Sequence, residues 1–375
     1  MYQPRYDERR FTGESARVGR SRFARTSVVL LVVVLALAAF LGYRDELPSW
    51  VGQSRGASAA LYGPPMPPMD ADAVAHSVEP ELVNIDVLLR PSGVAAAGTG
   101  IVLTADGQVL TSHHVVKGAD TITVGDLGTG AAFPATVVGY DSDADIALLS
   151  LTGAHGLPVA RIGSSGVLRL GDDLVAIGNA GGTGTPTAFF GPVTALDAAI
   201  VARNAADMSR KALTGLIEVS APVMAGQSGG ALVDRYGAVV GVVTAASGEL
   251  SRASGQASGY AVPIDTAMGV IRQIRTGVPT DAIHVGPTAT LGVVTSDGPS
   301  GARVDVSLYG QPAFAAGVAE GEVITGIDGR AVGSAQSLRA ALNTHRPADA
   351  VHVDLTEPDG SRRTVVVVLA SGPPN

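Results

Sequence analysis

The chain lacks cysteine altogether, carries only two lysines, and is poor in aromatic residues, which make up 4% of its 375 positions. Without cysteine it forms no disulfide and no thiolate metal site. No other group of residues has metal-ligand spacing, so neither a metal nor a cofactor is expected. The lysines are Lys117 and Lys211; the other basic residues are Arg, which reflects base composition and bears on no mechanism. Residues 1–26 hold seven Arg against Asp7, Glu8 and Glu14, a net of +4, while the whole chain stands at −8, so the remaining 349 residues carry −12. An acidic body argues against nucleic-acid binding through a basic surface. What is abundant is small: 48 Gly and 22 Pro, with much Ala and Val. That composition favours short strands and turns over long helices, and the length suggests two or three domains.

One long apolar run stands near the start. Ser27–Tyr43 has no charge, and its 17 residues would span about 25 Å as a helix, near the lower limit for a membrane span. A buried core helix does not fit a run that is apolar all round, with an Arg-rich tail before it and Pro and Gly after it. A signal peptide cleaved after Ala36-Leu37-Ala38 and an uncleaved anchor both place the body outside the cytoplasmic membrane. The long basic tail, 1–26, and the apolar Phe40-Leu41 beyond the cleavage motif favour the anchor, with the N-terminus cytoplasmic. Residues 44–77, broken by Pro48, Gly52, Gly56, Gly63, Pro64, Pro65, Pro67 and Pro68, read as a stiff, extended linker.

From Leu82 the texture changes to short β-rich runs separated by turns. Leu82–Leu89, 100–103, Gln108–Thr111, 121–124, 135–138 and Ile146–Leu151 form one set of six. A second set comprises 174–177, 189–194, 216–219, Ala231–Val233, 239–243 and 260–262. This spacing suggests two all-β barrels over residues 78–275, closed by a helix at 266–275. Residues 276–287 read as a second linker. Residues 288–371 read as a small α+β unit with one helix, 334–343, N-capped by Ser334.

Three stretches could carry chemistry. In Ala225-Gly-Gln-Ser-Gly-Gly-Ala-Leu-Val233, glycines let a tight turn expose the Ser228 oxygen and aim backbone N–H groups at one point. Alone, it reads better as an ordinary glycine-rich hairpin turn with a solvated serine. Leu110-Thr-Ser-His-His-Val-Val116 ends a strand, where a lone His is more often structural. Asp141-Ser-Asp-Ala-Asp-Ile-Ala-Leu-Leu149 sets three acids before an apolar run, either as a solvated strand edge or with one acid drawn inside to hold a partner.

Together these stretches, in the order His, Asp, Ser over two similar barrels, resemble the HtrA/DegP-like, trypsin-fold serine proteases. Gly98-Thr-Gly-Ile-Val102, Gly171-Asp-Asp-Leu-Val-Ala-Ile-Gly-Asn179 and Gly259-Tyr-Ala-Val-Pro-Ile-Asp265 match in the same order. Gly178-Asn-Ala-Gly-Gly-Thr-Gly184 and His284-Val-Gly-Pro-Thr-Ala-Thr-Leu-Gly292 are most similar to the PepA-type actinobacterial branch. The C-terminal unit resembles a PDZ domain through Thr290-Leu-Gly-Val293, Gln311-Pro-Ala-Phe-Ala-Ala-Gly317 and Glu320-Gly-Glu-Val-Ile-Thr-Gly-Ile-Asp-Gly329.

The resemblance implies a serine endopeptidase with His114 as general base, Asp145 as orienting acid and Ser228 as nucleophile. It also implies an oxyanion hole from the N–H groups of Gly226 and Ser228. His113 stands where the family usually has Asn and is expected to be structural; Asp141 and Asp143 are expected at the surface. By the family pattern, Val223 and Ala246 line the S1 pocket, which implies cleavage after small or medium aliphatic residues. Val243, Thr244 and Ala245 pair with the substrate backbone. Leu291, Gly292 and Val293 bind peptide C-termini. Implied partners are polypeptide substrates, C-terminal peptides, the membrane and, through segments before the first barrel such as Leu61 and Tyr62, two further copies in a homotrimer. Two positions depart from the family: Ser220 replaces an acid, and Ala225 replaces a proline before Gly226. Both bear on the oxyanion loop, and the alternative they leave open is a dormant protease domain serving as a peptide-binding scaffold.

Overall fold

The computed structural model describes residues 67–89, 93–203, 210–246 and 257–374. The predicted span at 27–43, the basic tail, and Leu61 and Tyr62 lie outside them. Among the described residues no helix is long and apolar enough to cross a membrane.

The described chain opens inside the stretch read as linker. Helix α1 (Ala71–Val78) is N-capped by Asp70, whose side chain accepts from the Ala73 N–H, and buries Val74, Ala75 and Val78. Six strands follow: β1 (Leu82–Leu89), β2 (Val94–Val102), β3 (Gln108–Thr111), β4 (Thr121–Asp126), β5 (Ala132–Asp141) and β6 (Ile146–Leu151). They pair in the order β5-β4-β1-β2-β3-β6, and β5 pairs with β6 again, so the set closes on itself. The second set is β7 (Asp173–Gly178), β8 (Thr187–Arg203), β9 (Arg210–Val219), β10 (Ala231–Val233), β11 (Val239–Ala246) and β12 (Gly259–Pro263). It is a closed barrel in the order β10-β11-β12-β9-β8-β7. Short helix α2 (His113–Val116) follows β3, and α3 (Ile264–Arg275) follows β12.

Alternation explains how two barrels share a core. Successive residues of a strand face opposite sides. On β1, Val83, Ile85 and Val87 fill the first barrel, while Leu82 faces the common core. On β7, Leu174 and Ala176 fill the second barrel, while Val175 and Ile177 join Leu82, Ile101, Leu110 and Leu148 between the barrels. Helix α3 adds Ile264, Ala267, Ile271 and Ile274 to that shared cluster. Because a one-residue slip would exchange the two faces, burial on both sides pins the register.

The stretch read as a second linker contains β13 (Ile283–Val285), which adds to β5 with His284 opposite Tyr140. Beyond it, β14 (Thr288–Thr290) pairs with β21 (Ala370–Gly372). The remaining sheet consists of β15 (Val293–Asp297), β16 (Ala302–Ser307), β17 (Val323–Ile327), β18 (Arg330–Ala331), β19 (Ala350–Thr356) and β20 (Arg362–Val368). Its main path runs β15-β16-β17-β19-β20, which leaves β15 at an edge. Helices α4 (Pro312–Ala315) and α5 (Ala335–Leu342) accompany it, and Ser334 caps α5 by accepting from the Ser337 N–H. A separate apolar cluster, including Leu291, Val304, Ile324, Leu338, Val353 and Val367, is its core.

Candidate active site

Three loops converge between the barrels. The first is the turn after β3. Ser112 leads into helix α2, which places His113 and His114 on different sides. His113 is 3% exposed, stacked on Tyr140 with ring centroids 4.6 Å apart. Burial pushes its imidazole down to about 3, so it is neutral. His114 leaves 29% of its side chain exposed.

The second loop runs from Asp141 to Asp145. Contrary to the surface position expected for it, Asp141 is buried; its Oδ1 accepts from the N–H groups of Asp143 and Ala144 and shapes the turn. Asp143 is exposed. The turn ends with Asp145 in the left-handed region, φ 59°, a conformation that Asp tolerates better than most residues. There the Asp145 carboxylate accepts from the His114 backbone N–H at 3.0 Å, from His114 Nδ1 at 2.8 Å and from the Thr244 hydroxyl. The Asp145 carbonyl also accepts from the His113 N–H at 3.1 Å.

Electrostatics follow from this geometry. Burial alone would raise the Asp145 carboxyl. The His114 charge, the hydrogen bonds from His114 and Thr244, and the Lys211 charge outweigh it and hold the carboxyl far below the usual carboxylate range. Burial pulls the His114 imidazole down, but the charge and hydrogen bond of Asp145 prevail and raise it. An ionised carboxylate only accepts, so Nδ1 carries the proton and Nε2 of the neutral ring is left with its lone pair.

The third loop carries Ser228, and its shape depends on glycine. Gly226 has φ 92°, and a Cβ there would lie 2.1 Å from the Asn179 carbonyl; Gly229 has φ 83°, and a Cβ would lie 2.1 Å from the Thr99 carbonyl. The Ala225 carbonyl accepts from the Gly181 N–H at 2.7 Å. In a trans peptide C=O and N–H point opposite ways, so this bond turns the Gly226 N–H away from Gly181. Among the described residues, neither the Gly226 nor the Ser228 N–H is donated to another protein group. The Ser228 hydroxyl donates to the Thr244 carbonyl at 3.4 Å.

Two threonines tie the loops together. Thr99 on β2 is fully buried; its N–H donates to the Ser228 carbonyl, and its hydroxyl accepts from the Asn179 N–H and donates to the Gly226 carbonyl. Thr244 sits where the β11–β12 register shifts between Val243 and Ala245. Such a bulge re-aims a side chain, and here the Thr244 hydroxyl reaches Asp145 while its carbonyl receives Ser228. Neither linking role is legible in the sequence. Gly98-Thr-Gly100 was visible as a motif, but no spacing marks a bulge at 244.

The expected binding residues fare unevenly. Val243 was expected to pair with substrate, but its N–H donates to the Gly230 carbonyl, and its carbonyl accepts from the Gly229 N–H and the Ser112 hydroxyl. Its backbone is committed to holding the serine loop. Thr244 and Ala245 lie beyond that bracing. Val223 is 2% exposed, in the apolar cluster of the second barrel; a Cβ on Gly259 would lie 2.3 Å from it. The side chains of Ala245 and Ala246 lie outside what the structure describes. Leu291 is buried in the C-terminal core, and the Gly292 N–H is donated to the Thr290 hydroxyl at 3.1 Å, so it is not free for a peptide carboxylate in this structure. Val293 begins the edge strand β15, opposite Ser307.

Family models match both domains of the chain. Residues 98–242 match the trypsin-like peptidase domain and residues 289–369 the PDZ domain. Serine protease PepD of Mycobacterium tuberculosis is 34% identical over 356 residues, covering 89% of this chain and 74% of PepD. The periplasmic pH-dependent serine endoprotease DegQ of Escherichia coli is 32% identical over 269 residues, covering 69% of this chain and 56% of DegQ. Among solved structures, the HtrA-type protease AlgW with a decapeptide has a TM-score of 0.45 at 24% identity, over 82% of this chain and 100% of that one. By its two matched domains and its relatedness to PepD, the chain belongs to the HtrA/DegP-like family of trypsin-fold serine proteases with a C-terminal PDZ domain.

Proposed function

We propose that this protease is an endopeptidase acting outside the cytoplasm, in which His114, Asp145 and Ser228 form the catalytic triad. The observation that carries the reading is the Asp145 carboxylate, which holds His114 through Nδ1 and the backbone at once. His114 Nε2 takes the proton as Ser228 Oγ attacks the substrate carbonyl. The oxyanion that develops is received by the N–H groups of Gly226 and Ser228. His114 then protonates the leaving amine, and the C–N bond breaks. Water, activated by the same imidazole, attacks the acyl-enzyme and releases Ser228. Asp145 stays ionised throughout and stabilises the imidazolium. In the free enzyme Ser228 Oγ turns to Thr244, a loose arrangement of the kind that tightens when substrate binds.

Substrates are polypeptides, misfolded or otherwise targeted, cleaved after small or medium aliphatic residues at an S1 pocket lined by Val223 and Ala246. The PDZ unit, within 288–371, takes peptide C-termini near Leu291, Gly292 and Val293, with β15 as the open edge for strand addition. The protease region, 78–275, is anchored through residues 27–43 and assembles as a homotrimer; the names of periplasmic relatives support the compartment. A fluorophosphonate probe should label the wild-type protein and not Ser228→Ala. Equal labelling of both, or of neither in the presence of activating peptides, would sink the triad assignment.

A further inference from the structure

The Gly226 N–H serves an oxyanion only while the Ala225 carbonyl points the other way. The Gln227 N–H donates to the Met224 carbonyl at 3.2 Å, which closes a four-residue turn with Ala225 and Gly226 at its centre. The φ of 92° at Gly226 is that of a type II turn. A type I turn closes with the same bond but has its central peptide turned over, and glycine permits both. The choice between them is made from outside the turn, by the Gly181 N–H, which donates to the Ala225 carbonyl at 2.7 Å.

That donor sits in the loop between β7 and β8, and the loop has little shape of its own. Gly181, Gly182 and Gly184 take φ of 73°, 66° and 85°, and glycine adopts either sign of φ about equally. Two asparagines supply the shape. Asn179, 2% exposed, accepts from the Gly184 N–H on Oδ1 at 2.8 Å, and its carbonyl accepts from the Gly182 N–H at 3.0 Å. Asn84 reaches across from β1 and donates from Nδ2 to the Gly184 carbonyl at 2.8 Å. Both backbone groups of Gly184 are thus held by side chains, one from each barrel. Asn84 stands opposite Thr99 in the β1–β2 ladder, and Thr99 binds the Asn179 N–H and the Gly226 carbonyl. This pair of cross-strand neighbours therefore grips the loop and the turn it steadies. The Asn84 Oδ1 is buried with no partner among the described residues. Such an orphan is costly, and the bond to Gly184 is what the amide makes in return.

We propose that Asn84 is a positioning residue for the oxyanion hole: it holds the 179–184 loop in the shape that keeps the Gly181 N–H on the Ala225 carbonyl, and so keeps the Gly226 N–H turned to the site. This rests on the reading of Ser228 as nucleophile and Gly226 as oxyanion donor.

The test reads the brace first and turnover second. In the Ser228→Ala protein, Asn84→Leu should speed hydrogen exchange at the Gly181 amide about tenfold, because the loop opens more often. In the active protein the same substitution should lower kcat about tenfold with KM within about twofold, a partial form of the hundredfold or greater loss that removing an oxyanion donor causes. A peptide boronic acid, whose tetrahedral adduct on Ser228 sets an oxygen at Gly226, should bind about tenfold more weakly. Asn84→Asp keeps the size but turns an acceptor towards the Gly184 carbonyl, and it should cost at least as much. Asn84→Ala serves should the leucine variant fail to fold. The His114 titration, followed by NMR, should stay at its wild-type position, since no bond of the His114–Asp145 pair involves this loop. Unchanged Gly181 exchange in the folded variants overturns the inference, as does a rise in KM with kcat intact or a shifted His114 titration. Wild-type protein that escapes the fluorophosphonate probe would overturn the triad reading instead, and the Gly181 exchange is read without turnover.

Discussion

The first barrel presents His114 and Asp145 as a pair fixed by hydrogen bonds to one buried carboxylate; the second presents Ser228 on a backbone fixed by glycines. Asp145 is 2% exposed and takes three donors, and its affinity for protons is set by that environment. Ser228 has one side-chain bond of 3.4 Å, while the main chain around it is clamped by Thr99, Gly181 and Val243. The difference is chemical. A carboxylate in a poorly polarisable interior must be compensated permanently. In the proposed mechanism Ser228 must stay free to move its proton, so precision there is built into the backbone instead.

Asp145→Asn tests the electrostatic half most severely. The amide keeps the shape but not the charge, and it can donate towards Nδ1, favouring the wrong tautomer. We expect kcat to fall by roughly three to four orders of magnitude. The acid limb of the residual activity should also fall, because Asp145 is what raises His114 against burial. An acid limb still above the ordinary histidine range in that variant would contradict the electrostatic account.

Thr244→Val asks how far the two halves depend on one shared residue. It removes the hydroxyl bond to Asp145 but keeps the carbonyl that receives Ser228. The loss of one donor to an ionised carboxylate is worth about 1.5–3 kcal/mol, so we expect kcat to drop about tenfold or somewhat more with KM little changed. Thr244→Ser should recover most of it. If valine costs nothing, the link between the barrels does not run through this hydroxyl.

These two residues also mark what a sequence makes legible. The strands of both barrels could be read because alternating apolar residues are buried on both sides, and the glycine turn because its spacing is dense. Thr244 was legible only as a strand residue, since a bulge is set by what packs on both edges of β11. Asp141 looked like a surface acid because a side chain satisfied by its own turn has no signature at a distance. The arm formed by β8 and β9 extends well past the segments expected at 189–194 and 216–219. Its outer residues gain their order from pairing with each other, Ile200 with Leu213 and Val201 with Ala212. Helix α1 was hidden in a proline-rich context, although Asp70 and the spacing of Val74 and Val78 carry its cap and its buried face.

The smallest expected effect concerns the other histidine of the first barrel. His113 and His114 are adjacent, yet burial keeps one neutral while a carboxylate raises the other. The folded state holds His113 down to about 3, whereas the unfolded chain protonates it near 6.5. Its contribution to stability is therefore complete above pH 6.5 and is lost progressively as the pH falls from there towards 3. His284, which faces Tyr140 from β13, is also pushed down by burial and adds a loss of the same sign. His113→Asn removes one of these two groups. Urea unfolding at pH 7 and pH 5 should show a stability difference smaller than in the wild type by on the order of 2 kcal/mol. The loss of the Tyr140 stack should appear as a drop common to both pH values. An unchanged difference would mean that His113 takes up a proton without disrupting the fold, and the first barrel would then tolerate charge on both sides of α2.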